Sequence, residues 1–122
     1  MIETTGLSHI HILVRDMNRS LLFYQRVFGL EELFREDPDM VFLRTPGSRD
    51  LITLHQSDDE QAGEGGGMRH FGFVLRDAAD LDDAVRAVEH AGGKLLRRAE
   101  HSPGHPVAYV SDPDGYVIEI GS

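Results

Sequence analysis

Residues 12–16 read ILVRD and residues 73–77 read FVLRD, so a strand-like pentapeptide returns after 61 residues (73 minus 12). The same offset carries His9 onto His70. A short match can arise by chance, so the test of a repeat is whether the surrounding elements recur in the same order. They do recur, and the chain therefore reads as two copies of one module.

The first copy covers about residues 5–56 and is expected to form one strand, one helix and three further strands. Residues 7–14 alternate between an apolar face and a face that carries His9 and His11. Asp16 is a suitable N-cap for an amphipathic helix that stops at Gly29. Turn-forming residues separate three short strand candidates, which lie near residues 31–35, 40–44 and 51–56.

The second copy covers about residues 68–122 and repeats this order. A strand at residues 69–75 precedes a helix over about residues 81–91, with Asp80 as its expected cap and glycines as its stop. Three strands follow near residues 94–99, 107–111 and 116–120, the last two joined by the turn DPDG. Residues 57–67 are interpreted as a flexible linker in preference to a mobile substrate lid. The prediction is one α+β domain, residues 1–122, built from two βαβββ modules.

Composition narrows the classes of partner and metal site. The chain has 122 residues and a formal net charge of -9, so nucleic acid and anionic membranes are expected to be repelled. It has no cysteine, which leaves His, Asp and Glu as the metal ligands to consider. No signal peptide and no apolar run of about 18 residues is found, so a cytoplasmic location is expected.

Three polar side chains occupy corresponding positions on strands that are otherwise apolar. His9 and His70 lie on the first strand of each copy, and Glu119 lies between Ile118 and Ile120 on the last strand. A carboxylate in such a strand is costly to bury unless it is paired or bound to a metal. Each histidine alone would suit a hydrogen-bonded core position, but the repeat favours a joint site for Fe(II), Mn(II), Zn(II) or Ni(II).

Nearly the whole chain resembles the vicinal oxygen chelate superfamily, which includes glyoxalase I, extradiol dioxygenases and the fosfomycin- and bleomycin-resistance proteins. The resemblance is carried by SHIHILVRDMNRSLLFYQRVFGL, RHFGFVLRD and AYVSDPDGYVIEI. It implies that His9, His70 and Glu119 bind one divalent metal ion in a cup formed by the curled sheets of paired modules. It also implies a small substrate that binds through neighbouring oxygens, and a homodimer whose modules pair within or between chains.

The sequence departs from the glyoxalase pattern at one position. Glyoxalase I has a fourth ligand, a glutamate on the last strand of the first module, and Thr53 stands at that position here. The usual glyoxalase route, in which a metal-bound carboxylate moves a proton, is therefore in doubt. His55, two residues later, would substitute as a base or a fourth ligand, and a solvent-facing histidine is the equal alternative.

Other candidate residues follow from spacing and from the resemblance. Tyr109 stands ten residues before Glu119 (119 minus 109), a spacing that extradiol and fosfomycin enzymes both use for an active-site tyrosine; the alternative is a core tyrosine. Extradiol enzymes also place a histidine that does not bind the metal directly in the loop before the strand of this tyrosine. For that role His105, in SPGHP, is ranked ahead of His101. His11 is expected to face the cup and to bind substrate or transfer protons. The remaining histidine, His90, is expected to face solvent.

The leading interpretation is an extradiol-dioxygenase-like enzyme in which Fe(II) binds a vicinal-oxygen substrate and O2. The alternative is a glyoxalase-like or fosfomycin-resistance-like enzyme that uses Mn(II), Zn(II) or Ni(II) as a Lewis acid. A third alternative, from a different class, is a metal-free protein that sequesters a drug. Fold membership alone does not choose among these activities.

Overall fold

The computed structural model of the chain describes residues 1–59 and 61–121 as two βαβββ modules, which confirms the predicted α+β class. The first module consists of β1 (Ile10–Val14), α1 (Met17–Phe28), β2 (Glu31–Glu36), β3 (Met40–Arg44) and β4 (Ile52–Gln56). The second module consists of β5 (Phe71–Val74), a 3-10 turn (Ala78–Asp80), α2 (Leu81–His90), β6 (Lys94–Glu100), β7 (Pro106–Ser111) and β8 (Val117–Gly121).

Each module forms its own four-stranded mixed sheet with the same topology. The strand orders are β1-β4-β3-β2 and β5-β8-β7-β6. The first and last strands of each module run parallel, and the other neighbours run antiparallel. His11 lies opposite Thr53 in the first sheet, and Gly72 lies opposite Glu119 in the second. Thr53 and Glu119 therefore occupy equivalent positions.

The two helices begin in different ways. Asp16 caps α1 as predicted, because its carboxylate accepts the backbone N–H of Arg19 at 3.1 Å. Asp80 occupies the N-cap position of α2 as predicted, but its side chain makes no capping hydrogen bond. The chain enters α2 through the 3-10 turn, and Asp77 caps that turn by accepting the N–H of Ala79 at 2.9 Å. The side-chain cap therefore lies one turn earlier than the apolar pattern indicates.

One hydrophobic core joins the two modules. Its cluster includes residues of α1 and α2 and the helix-facing residues of both sheets, such as Leu43 and Ile118, which are fully buried. Across the boundary, the rings of Phe28 and Phe73 stack with centroids 4.0 Å apart. No helix within the described ranges is long and apolar enough to cross a membrane.

The turn Asp112–Gly115, here termed the turn clamp, fastens the second module to α1. One oxygen of Asp112 accepts backbone N–H groups of its own turn, and the other accepts the Tyr24 hydroxyl at 2.7 Å. Asp114, whose side chain is fully buried, accepts from Arg19 at 2.9 Å and from the Ser20 hydroxyl at 3.2 Å. Burial raises the pKa of Asp112. The DPDG turn therefore also holds the two modules together through its contacts with α1.

The segment that was predicted to be a flexible linker is anchored at its centre. Ala62 is buried, and its carbonyl accepts a hydrogen bond from the Arg15 guanidinium at 2.8 Å. Gly63 has a φ of 107°, and a Cβ there would collide with the carbonyl oxygen of Asp114. Backbone conformation and close approach therefore both favour glycine at this point.

Candidate metal centre

His70 and Glu119 form a close pair on the sheet of the second module. His70 precedes β5, Glu119 lies on the adjacent strand β8, and their Nε2 and Oε2 atoms are 3.2 Å apart. Two donors that bind one ion through bonds of about 2.0–2.2 Å at a right angle lie about 3 Å from each other. The donor types and their spacing therefore fit a single divalent metal ion.

Gly72 makes the position of Glu119 possible. A Cβ on Gly72 would lie 2.9 Å from the backbone oxygen of Glu119 and 3.3 Å from its Cβ. Any side chain at residue 72 would thus push against the strand that carries the carboxylate. The close approach of β5 to β8 requires glycine here.

A second histidine reaches the same carboxylate. The Nε2 atom of His101 lies 2.8 Å from Oε1 of Glu119, and this hydrogen bond is the main cause that lowers the pKa of Glu119. His105 lies at the end of the same turn, where its backbone contacts Ser102 and His101. Within the described residues its side chain has no hydrogen bond or ion pair. The structure thus places His101, ranked second from the sequence, beside the candidate ligand.

Tyr109 lies directly opposite Glu119 on β7 and is 8% exposed. Its ring meets the ring of His70 edge-on at 5.3 Å. Interaction with the Glu119 carboxylate is the main cause that raises the pKa of the Tyr109 phenol. The predicted cavity tyrosine therefore lies beside both members of the metal-ligand pair.

Arg97, which sequence reasoning missed, lies over the ring of Tyr109. Its guanidinium carbon lies 4.1 Å from the centroid of the Tyr109 ring, within cation–π distance. Arg97, Tyr109 and His70 line one open cleft of about 300 Å³. The bulge between Leu95 and Arg97 breaks the alternation of β6, so the sequence pattern alone does not give the face of Arg97.

The first module brings together two of the predicted histidines. Nε2 of His11 and Nδ1 of His55 are 3.0 Å apart, which allows them to share a proton. Burial, then the neighbouring His55 and His9, lower the pKa of His11. Thr53 is fully buried on the adjacent position of β4, and within the described residues its hydroxyl has no hydrogen-bond partner.

Two phenylalanines occupy the positions in the first module that Arg97 and Tyr109 occupy in the second. Phe42 lies opposite Thr53, and Phe34 lies opposite Phe42 after an equivalent bulge in β2. Their rings stack with centroids 4.2 Å apart at 15°. Phe34 is 49% exposed, whereas the helix-facing residues Leu43 and Leu54 of this sheet are fully buried.

His9 lies apart from His70 and Glu119 in a single copy of the chain. Its ring nitrogen Nδ1 is 2.8 Å from the Ser8 hydroxyl, and it lines a cleft at the edges of β1 and β5 with Leu7 and Phe71. Within residues 1–59 and 61–121, no group of three or more His, Asp or Glu side chains surrounds one metal position. The pair His70–Glu119 is assembled, and the predicted third ligand is not.

Comparison with known proteins adds evidence on ancestry. The family model described as glyoxalase/bleomycin resistance protein/dioxygenase superfamily matches residues 6–120. A lactoylglutathione lyase of Neisseria meningitidis is 33% identical, over 93% of this chain and 88% of the lyase. A catechol-2,3-dioxygenase of Bacillus subtilis is 31% identical over 97% of this chain, which spans 41% of the dioxygenase.

Solved structures share the fold. A fosfomycin resistance protein FosX from Listeria monocytogenes, in complex with Mn(II) and 1S,2S-dihydroxypropylphosphonic acid, superposes with a TM-score of 0.79 at 22% identity, covering 98% of this chain and 90% of that one. A glyoxalase-related enzyme from Fulvimarina pelagi superposes with a TM-score of 0.77 at 24% identity, covering 97% and 88%. At these identities the likeness is one of fold.

Proposed function

This chain belongs to the glyoxalase/bleomycin resistance protein/dioxygenase superfamily, and from that premise we propose that it is an enzyme with one divalent metal ion per site. Its substrate is a small molecule that chelates the ion through two neighbouring oxygens, and the favoured reaction is extradiol-dioxygenase-like with Fe(II). The observation that carries the proposal is the 3.2 Å pair of His70 and Glu119 with Tyr109 beside it. The Mn(II) bound to the FosX structure supports a divalent ion in this fold.

We propose that His9 of a second copy completes the ligand set. Among the described residues of one copy, His9 lies apart, and β1 and β5 each pair on one side only. Leu7 and Met68, which the 61-residue repeat makes equivalent, are 82% and 47% exposed, and Val74 at the end of β5 is 85% exposed. Apolar residues beside two open strand edges support pairing of modules between chains in a homodimer.

The residues around the proposed metal position have different roles in the proposed reaction. The ion supplies stabilisation of negative charge on the substrate oxygens. Tyr109 donates a hydrogen bond toward a substrate oxygen, and His101 holds the Glu119 carboxylate in its orientation through the 2.8 Å hydrogen bond. The His11–His55 pair, whose ring nitrogens lie 3.0 Å apart, is the proposed acceptor of a proton from the substrate hydroxyl.

A second candidate is a Lewis-acid enzyme of the lactoylglutathione lyase or fosfomycin resistance kind. The observation that favours it is length: the chain spans 88% of the Neisseria lyase but 41% of the Bacillus dioxygenase. Against the usual lyase route, Thr53 occupies the position equivalent to Glu119, so this module offers no carboxylate there. In this candidate the His11–His55 pair would move the proton instead.

Oxygen uptake distinguishes the two candidates. Anaerobic Fe(II) protein is expected to bind catechol and to consume O2 only after O2 is added. Tyr109→Phe should keep its iron and lose turnover about a hundredfold, since a hydrogen bond to a developing oxyanion is commonly worth roughly 3 kcal/mol. Activity on an epoxide or a thiol-derived substrate with Mn(II) or Ni(II), without oxygen uptake by the iron form, would instead support the Lewis-acid candidate.

Mixing of variants tests the proposed assembly. His9→Ala and His70→Ala should each lose stoichiometric metal as homodimers. If His9 acts across the interface, a refolded mixture should regain metal at about a quarter of its sites, because half of the dimers are mixed and each mixed dimer has one intact site. A mixture that regains none, or a mass near 13.6 kDa at every concentration in sedimentation, would contradict the shared site.

A further inference from the structure

The inner faces of the two modules present opposite chemistry at equivalent positions. Phe34 and Phe42 form an aromatic wall in the first module, and Arg97 and Tyr109 form a cationic wall in the second. Each wall follows the same bulge in its sheet and lies next to the strand position of Thr53 or Glu119. Pairing of a first module with a second module would place both walls in one cup.

Arg97 forms no ion pair in the part of the chain that the structure describes. Within the described residues no acidic oxygen lies within 4.0 Å of its guanidinium, although the chain carries a net charge of -9. The next residue, Arg98, points toward α2 and pairs with Asp82 at 2.8 Å. Arg97 instead lines the open cleft with Tyr109 and His70, and Glu64, which also lines this cleft, lies more than 4.0 Å from the guanidinium. A free guanidinium with a planar set of donors is suited to a carboxylate of the substrate.

The aromatic wall is suited to an apolar part of the ligand. Phe34 keeps half of its surface exposed while its ring stacks on Phe42, which leaves a flat apolar face. A flat ring gains from covering such a face by removing apolar area from water and by offset stacking. The ligand that matches both walls carries a flat apolar ring and an anionic group.

We propose that the substrate is an aromatic carboxylate, with its ring against Phe34 and Phe42 and its carboxylate paired to Arg97. This inference rests on the proposed function, because both walls face one ligand only when the modules pair. It narrows the substrate from any vicinal-oxygen compound to an anionic aromatic one. It also makes Arg97 the specificity-determining residue of the cup.

Matched probes test the cationic wall in the Zn(II)-loaded protein, where no turnover competes with binding. By calorimetry, 3,4-dihydroxybenzoate should bind at least tenfold more tightly than catechol, because it adds one charge-assisted pair. Arg97→Gln should abolish this preference while its zinc content stays at the wild-type level. Arg98→Gln, on the opposite face of the same strand, should retain the preference. Equal affinities for the two probes in wild-type protein, including no affinity for either, would overturn the inference.

Benzoate separates this inference from the proposed metal chemistry, since it has the ring and the carboxylate but no chelating pair. Metal-free wild type should bind benzoate, and Arg97→Gln and Phe34→Ala should each weaken that binding severalfold. A protein that binds no metal yet shows this dependence on Arg97 would refute the proposed metal chemistry and keep the module pairing and the ligand class on which the inference depends. Equal benzoate binding by wild type and Arg97→Gln would reject the inference even if the metal site is present.

Discussion

The inner faces of the two modules share one arrangement of strands and differ in side chain at four equivalent positions. The second module carries Gly72, Glu119, Tyr109 and Arg97 at the four positions where the first carries His11, Thr53, Phe42 and Phe34. The helix-facing positions remain apolar in both. Packing in the core requires apolar residues at the helix-facing positions of each strand, whereas the inner-face positions are free to differ. A repeat of this kind preserves its packing while its two inner faces take on different chemistry.

The largest expected effect of that difference is on metal binding. Glu119→Ala removes a proposed ligand, and elemental analysis should find that stoichiometric metal is lost. Thr53→Ala changes the equivalent position of the first module and should keep the wild-type metal content. Glu119→Ala protein that retains its metal would show that the two modules do not differ as ligand donors.

The turns that precede the last strands give the second contrast. Asp114 accepts several hydrogen bonds in the buried turn clamp, so Asp114→Ala leaves buried donors unsatisfied and should cost about 3 kcal/mol in the free energy of unfolding. Asp50 makes similar bonds to Thr45 in an exposed turn, and Asp50→Ala should cost roughly 0.5–1 kcal/mol. Urea denaturation measures both, and equal losses would refute the role of the turn clamp as a joint.

A smaller effect is expected at Gly72. Gly72→Ala places a Cβ against the Glu119 backbone and should destabilise the protein by about 1–2 kcal/mol, with weaker metal binding as β8 shifts. His11→Gly at the equivalent position removes a side chain from a face with room for one, so its metal content should be unchanged. A Gly72→Ala variant with wild-type stability and metal affinity would mean that β5 and β8 separate at little cost.

Much of the fold can be predicted from the sequence, because the repeat and the apolar periodicity indicate the order and the type of the helices and strands. The order of elements, the Asp16 cap and the close approach of His70 to Glu119 rest on strand alternation and on local capping chemistry. Strand ends differ by one to three residues, as at β1, which begins at Ile10 rather than Leu7. Boundaries depend on which end residues find backbone partners, and the sequence pattern does not encode this.

The sequence was least informative where long-range pairing decides which face a residue occupies. Bulges in β2 and β6 shift the alternation, so Phe34 and Arg97 did not stand out as inner-face residues. His101 reaches Glu119 because the β6–β7 hairpin returns it to the sheet, a contact that spacing alone does not give. The separation of His9 from the pair likewise depends on how modules pack, which the repeat leaves open.

The smallest expected effect is at Thr53, which is fully buried and whose hydroxyl lacks a partner within the described residues. A buried hydroxyl without a hydrogen bond costs about 1–3 kcal/mol, and valine keeps its shape without that group. Thr53→Val should therefore leave stability unchanged or raise it by up to about 1 kcal/mol, with Tm higher by about 3 °C. Thr45→Val is the matched control, because its hydroxyl donates to Asp50 at 2.7 Å and its loss should lower stability slightly. If Thr53→Val instead lowers stability by more than about 1 kcal/mol, the hydroxyl is hydrogen-bonded in the folded protein. The inner face of the first module would then be polar at its centre, like that of the second.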